Sequence, residues 1–208
     1  MYRIFYAGFY DVAFQWMVRP RIRAAVEEMG IRPGQTVLDL GIGTGLSLPF
    51  FPEGTRVAGV DLNAEMLKKA EEKARENGRI RTSLFRMDGQ RLGFKDASFD
   101  HALLAFVVTV VPDPVALLRE TQRVVRPGGS IVILNHFLSR HKFVAGLERL
   151  ARPICKRLGW HSDLEIEPVL ERSGLRILRE QKIGRTRYWR ILHVEPDRPG
   201  NNGRAHDA

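Results

Sequence analysis

Cysteine is nearly absent from this sequence: Cys155 is the only one in 208 residues. No disulfide can form within the chain, so a reducing compartment, the cytosol, is the expected setting. Long apolar runs are missing as well. Asp100 and Asp113 enclose 12 uncharged residues, and Asp39 and Glu53 enclose 13. Both fall short of the roughly 18 that a membrane-spanning helix needs. Asp11 interrupts the apolar stretch that follows Arg3, which argues against a secretory signal. Acidic residues are in deficit, with 24 Asp and Glu against 33 Lys and Arg, and the resulting +9 asks for an acidic partner or surface. What is present, 44% hydrophobic and 27% charged residues, is the make-up of one globular domain.

Charge and aromatics are unevenly spread. Residues 1–35 carry a net +2, residues 36–136 a net +1, and residues 137–208 a net +6. Between Leu138 and Trp160 stand Arg140, Lys142, Arg149, Arg152, Lys156 and Arg157 against Glu148 alone. Seven of the 18 aromatic residues fall in the first 16 positions: Tyr2, Phe5, Tyr6, Phe9, Tyr10, Phe14 and Trp16. A nearly neutral middle is thus flanked by an aromatic start and a basic end.

Residues 3–29 have helical periodicity, with Phe5, Phe9, Val12 and Trp16 as an apolar stripe and Pro20 offering a break into two helices. After the Arg32-Pro33-Gly34 turn, Thr36–Leu40 reads as a buried strand. Strands and helices then alternate: strand Arg56–Asp61, helix Ala64–Asn77 closed by Gly78, strand Thr82–Met87, strand Ala102–Val108, helix Val115–Val125 stopped by Pro127-Gly128-Gly129, and strand Ser130–Asn135. A basic amphipathic helix is expected over Gly146–Leu158 and a helix over Ile166–Ser173, capped by Gly174. Strands Leu175–Lys182 and Arg187–Val194 are too close together for a helical crossover, so one of them is expected to be antiparallel at the sheet edge. The alternation implies an α/β, Rossmann-like, doubly wound parallel sheet. The expected organisation is an N-terminal helical lid or membrane-contact segment (1–30), one domain (31–195, with a basic insertion at 138–165) and a polar tail (196–208).

Asp39-Leu-Gly41-Ile-Gly43-Thr-Gly45 follows the first strand, where glycines allow a sharp turn and close approach of a ligand at the carboxyl edge of the sheet. Lys and Arg are absent between Arg32 and Arg56, and Gly45-Leu46-Ser47 stands where a P-loop needs Gly-Lys-Ser/Thr. The Gly-x-Gly-x-Gly spacing also differs from the dinucleotide Gly-x-Gly-x-x-Gly, which fits a ligand without a pyrophosphate. Asp61, at the end of the second strand, can accept both hydroxyls of a ribose, and Asp88 beside Met87 can take an adenine amino group. The plainer reading makes Asp39, Asp61 and Asp88 strand-end turn formers.

Val37–Gly45, Gly59–Met66, Met87–Leu92, Ser98-Phe-Asp100-His-Ala and Leu118–Gly129, in unbroken order, resemble class I S-adenosylmethionine-dependent methyltransferases. The resemblance implies a seven-stranded, mostly parallel sheet with a terminal antiparallel hairpin. It implies S-adenosylmethionine as cofactor, leaving S-adenosylhomocysteine, with contacts from Asp39, Gly41, Gly43, Gly45, Asp61, Leu62, Met66, Met87, Asp88, Gly89 and Phe106. Gly93 departs from the pattern, since many relatives have proline there, and only a loop consequence is expected.

The ends of the chain also resemble bacterial phospholipid N-methyltransferases, which convert phosphatidylethanolamine to phosphatidylcholine. The likeness lies in Tyr10-Asp11, Gly41–Leu48, Asn135-His136-Phe137 and Leu158–Asp163. By that likeness Tyr6 and Tyr10 close over the sulfonium and head group, and Asn135 and His136 face the acceptor, His136 having a suitable pKa to move the amine proton. His161 and Asp163 are further candidates for head-group contacts, and Tyr188 and Trp189 either wall the pocket or pack the last hairpin. An aromatic helix at 1–23 and the basic segment 138–160 would then meet an anionic membrane surface, placing the protein on the inner face of the cell membrane as a peripheral cytoplasmic enzyme. Two other readings stand beside this one. The first is an ordinary lid on a methyltransferase for a small metabolite or quinone precursor. The second is a nucleic-acid binder or RNA methyltransferase, suggested only by the basic balance and disfavoured because Ala105-Phe106-Val-Val-Thr109 stands where a base-flipping Asn/Asp-Pro-Pro-Tyr/Phe would be. No nucleic-acid partner is therefore expected.

Overall fold

A computed structural model describes residues 9–136, 164–183 and 189–196, with side chains from residue 16 to 135 in the first stretch. Twelve elements follow one another: α1 (Phe9–Glu28), β1 (Thr36–Leu40), a 3₁₀ turn (Leu48–Phe50), β2 (Arg56–Asp61), α2 (Ala64–Asn77), β3 (Arg81–Arg86), β4 (Phe99–Ala105), α3 (Pro114–Val124), β5 (Val125–His136), α4 (Ile166–Ser173), β6 (Leu175–Ile183) and β7 (Trp189–Pro196). The strands form one seven-stranded sheet in the order β3-β2-β1-β4-β5-β7-β6. The first five run parallel, and β7 is antiparallel to both β5 and β6, as the short link between the last two strands requires. This is the expected α/β architecture.

Both faces of the sheet are covered, which is why β1 reads as an almost continuous buried run. On one face Leu117, Leu118, Ile166 and Leu170 of α3 and α4 pack onto Leu38, Leu104 and Ile133. On the other, Val18, Ile22 and Val26 of α1, and Met29 just past its end, pack with Val37, Leu103, Val132 and Ile191. Helix boundaries follow their caps. Asn63 accepts the N–H groups of Glu65 and Met66 to start α2, and Gly78 ends it in a left-handed conformation. Asp113 caps α3, with Pro114 in its first turn. No helix among the described residues is long and apolar enough to cross a membrane.

Three expectations need correction. α1 runs through Pro20 without a break. Pro20 sits on the exposed side of a helix whose other side is anchored by Val18, Ile22, Ala25 and Val26, so the carbonyl it leaves unbonded can meet water. Trp16, the last residue of the expected apolar stripe, is 85% exposed. β4 occupies Phe99–Ala105 rather than Ala102–Val108, because Phe106 turns out of the strand with φ +61°. β5 begins at Val125, with Pro127-Gly128-Gly129 inside it as an irregular entry; the register with β4 shifts between Phe99 and His101 there. A Cβ on Gly129 would stand 2.5 Å from the Asp100 carbonyl, so this crossing is closed to any larger residue. The expected helix at Gly146–Leu158 and the tail at 196–208 lie, but for Pro196, outside the described residues.

Candidate functional site

The carboxyl ends of β1, β2 and β4 open onto a cavity of about 340 Å³. Its walls include Gly41, Asp61, Met87, Asp88, Phe106 and Val107. This is where an open parallel sheet binds ligands, at the point where β1 and β4 diverge in chain order. A larger groove of about 680 Å³ lies between α2 and the edge strand β3, lined by Lys68, Glu71, Arg75 and Arg86. It carries none of the glycine turn.

That turn is built from the backbone. Gly41 and Ile42 donate their N–H groups to the Val60 carbonyl at 2.8 and 3.1 Å, which folds the chain back across β2. Gly41 has φ +76°, and a Cβ there would lie 2.7 Å from Val107 Cβ, so glycine both permits the turn and keeps the cavity open. Asp61 locks the arrangement from the next strand. Its Oδ2 accepts the Gly43 N–H at 2.9 Å and its Oδ1 accepts the Asn63 N–H at 2.8 Å. Each oxygen keeps a second lone pair for a ligand. Leu62, 54% exposed, forms the rim beside it.

Asp39 has a different job. It is 1% exposed and receives the Ser47 hydroxyl beneath the glycine turn. Burial pushes its carboxyl up to about 7, the Ser47 hydrogen bond pulls the other way, and the nearby Asp61 charge adds to the rise. Asp39 therefore braces the turn from below. Met66 lies in the first turn of α2, half-buried, and neither it nor Gly45 lines the cavity. A Cβ on Gly45 would press on Leu48 and Ala70, so its place is set by packing against α2.

Asp88 stands just past β3. Gln90 reaches back to it through its N–H at 2.9 Å and its side-chain amide at 3.0 Å. The Gln90 carbonyl oxygen in turn accepts the Asp113 N–H at 2.9 Å, tying the β3 exit to the start of α3. A Cβ on Gly89 would stand 2.7 Å from Leu117 Cδ1, so any larger residue would have to push that side chain aside. Gly93 donates its N–H to Met87 Sδ at 3.1 Å, a bond that the proline of many relatives could not make. The segment after it is fixed by Glu120, which accepts the Leu92 N–H, and by Arg123, which holds the Leu92 and Phe94 carbonyls and Asp96.

One side of the cavity wall is backed by aromatic packing. Phe106, with its φ of +61°, packs edge-to-face on Trp189 at 5.4 Å between ring centroids. Trp189 opens β7 opposite His136, at the same carboxyl edge, and the Arg21 guanidinium of α1 lies 5.1 Å above its ring. Asn135 is fully buried and pairs with the Thr109 hydroxyl at 3.1 Å, joining β5 to the loop after β4. It does not line the cavity. The backbone of Tyr10 belongs to α1 and that of His136 to β5, but their side chains, with Tyr6, His161, Asp163 and Tyr188, lie outside the described residues.

The motifs pointed to the glycine turn, Asp61 and Asp88 but missed Asn63, Gln90 and the apolar run Val107, Val110, Val111 and Pro112, all on the cavity wall. Gln90 had a signal, two residues past Asp88. The apolar run had none, because a loop can bring any hydrophobic side chain to a wall.

Residues 38–133 match the family model of a methyltransferase domain. The chain is 37% identical over 172 residues to a phosphatidylethanolamine N-methyltransferase of Cereibacter sphaeroides, covering 82% of this chain and 84% of that protein. It is 34% identical over 129 residues to a demethylmenaquinone methyltransferase of Tropheryma whipplei, covering 62% of this chain but only 52% of the relative. Among solved structures, a SAM dependent methyltransferase from Aquifex aeolicus superposes with a TM-score of 0.65 at 22% identity, over 88% of this chain and 96% of that one. The cofactor of such enzymes, S-adenosylmethionine, fits this cavity: carboxylates line it and, among the described residues, no Lys or Arg does, which suits a cationic sulfonium, and the Gly41 cradle leaves space that any Cβ would fill. By kinship and fold alike, the chain belongs to the class I S-adenosylmethionine-dependent methyltransferases, with S-adenosylmethionine as its cofactor.

Proposed function

We propose that this methyltransferase acts on the amine of phosphatidylethanolamine and its methylated intermediates, towards phosphatidylcholine, at a membrane surface. The observation that carries the reading is the likeness to the Cereibacter sphaeroides enzyme, which spans most of both chains, including the segments outside the shared core. α1 adds support: Trp16 is 85% exposed and Met17 40%, beside the exposed Arg19 and Arg23, an outward face suited to a membrane interface. In this reading residues 1–30 form the membrane-contact lid on the 31–195 domain, and the basic stretch 138–165 adds attraction to an anionic inner leaflet.

Bound S-adenosylmethionine supplies a methyl group that is already electrophilic. The chain's own residues do the rest. Asp61 accepts the ribose hydroxyls and Asp88 the adenine amino group, while the Gly41–Gly45 turn holds the amino-acid end. The Phe106 ring, backed by Trp189, lines the approach of an amine that becomes a cation, which aromatic rings favour and water need not solvate. His136 takes the proton that the amine must lose before it attacks. Tyr6 and Tyr10 close over the head group, and Asn135 acts through Thr109 by fixing the loop that carries Phe106 and Val107. A second reading, methylation of a quinone precursor, draws on the Tropheryma whipplei relative, which shares the core but little beyond it.

The test is to incubate the protein with labelled S-adenosylmethionine and total bacterial lipid. Label should appear in mono-, di- and trimethylated ethanolamine head groups; label only in a water-soluble or quinone product would reject the lipid reading. Sedimentation with anionic vesicles should weaken with salt and fall on Trp16→Ala, whereas indifference to every vesicle would reject the membrane surface.

A further inference from the structure

The arginines of α1 are held in different ways. Arg23 pairs with Glu27 at 2.7 Å, and Arg19 lies over the Phe50 ring on the exposed side. Arg21 has no carboxylate partner among the described residues. Its guanidinium lies 5.1 Å over Trp189, its Nη1 donates to the Met17 carbonyl of its own helix, and its Nε is covered without an acceptor. Its Nη2 makes no hydrogen bond to a described residue. Stacking, not ion pairing, fixes this cation in place, and a guanidinium so positioned keeps donors for an anion from outside the chain.

Its place gives that anion a meaning. Phe106 lines the cavity, Trp189 packs edge-to-face on it, and Arg21 stacks on Trp189: two aromatic rings followed by a cation. A phosphoethanolamine head group has the complementary order, an amine that becomes cationic followed by a phosphodiester anion. A quinone precursor has no anion at that distance from its reacting carbon and would leave the guanidinium unmatched.

We infer that Arg21 is the phosphodiester-binding residue of the acceptor site, aligning the head group so that its amine lies against Phe106 and Trp189. The inference rests on the phospholipid reading above. It makes Arg21 a specificity-determining residue: it selects amines that carry a phosphodiester, while contributing nothing to cofactor binding.

The test uses a monomeric short-chain phosphatidylethanolamine, so that membrane binding does not enter, beside an ethanolamine ether of equal chain length that lacks the phosphate. The native enzyme should prefer the phosphodiester. Arg21→Met, which keeps the apolar contact with Trp189, should raise KM for the phosphodiester by about tenfold to a hundredfold, with kcat, activity on the ether and affinity for S-adenosylhomocysteine unchanged. Arg21→Lys should recover part of the loss, since it restores the charge without the planar fork. An unchanged KM in Arg21→Met, or an equal loss on both acceptors, would overturn the assignment and leave the phospholipid reading standing. A native enzyme inactive on both amines but active on a quinone precursor would overturn the phospholipid reading and this inference together.

Discussion

Asp61 and Asp100 are carboxylates at opposite edges of one sheet, and their surroundings could hardly differ more. At the amino edge Asp100 is saturated by its own chain: Thr36 donates its N–H at 2.7 Å and its hydroxyl at 2.8 Å, and Arg126 pairs at 2.6 Å. His101 beside it is likewise used up between Ser130 and Gln35. At the carboxyl edge Asp61 accepts one backbone N–H on each oxygen and faces an open cavity. The first edge holds the fold, and the second leaves acceptors for a ligand. Asp39 is a third case, buried and, among the described residues, held by the Ser47 hydroxyl.

The largest effect should separate the two edges in binding. Asp61→Ala should weaken S-adenosylmethionine by about a hundredfold or more, since two charge-assisted hydrogen bonds are lost, while Asp100→Ala leaves affinity unchanged; calorimetric titration of both variants decides it. Stability should show the converse. Asp100→Ala strands the Thr36 N–H and should cost about 1–3 kcal/mol, or on the order of 2–4 °C of melting temperature per kcal/mol.

The smallest effect concerns pH, where Asp100 and Asp39 have opposite signs. Burial would raise the Asp100 carboxyl, but the Thr36 N–H and hydroxyl and the Arg126 charge outweigh it, so its pKa lies below the ordinary 3.8. Its contribution is present above that value and is lost as pH falls through the folded pKa. The Asp39 carboxyl is raised to about 7, so the folded state binds the extra proton, and stability is lost as pH climbs from about 4 towards 7. Melting temperatures measured from pH 4 to 8 should therefore decline less for Asp39→Asn than for the native chain. Parallel curves would mean that Asp39 is already ionised in the fold.

Much of this was legible beforehand because local chemistry forces it. The Asn63 and Gly78 caps bound α2 to the residue, and the spacing of Gly41, Gly43 and Gly45 after a buried strand set the site at the carboxyl edge. What escaped was decided by packing between distant parts. Nothing local to Pro20 says that α1 survives it; the sheet beneath Val18 and Ile22 does. The β4 boundary depends on the Phe106 N–H finding the Leu134 carbonyl at 2.8 Å, 28 residues along the chain. Asp39 sits in the same motif as Gly41 and looks from its spacing like a ligand contact, yet it faces Ser47 under the turn. The stack of Phe106, Trp189 and Arg21 joins three segments whose alignment no periodicity reveals.

Competition tests the central claim most directly. Offered equal amounts of phosphatidylethanolamine and a demethylated quinol precursor with limiting labelled S-adenosylmethionine, the enzyme should place nearly all label in the lipid head group. Label accumulating in the quinol, with the head group unlabelled, would contradict the account.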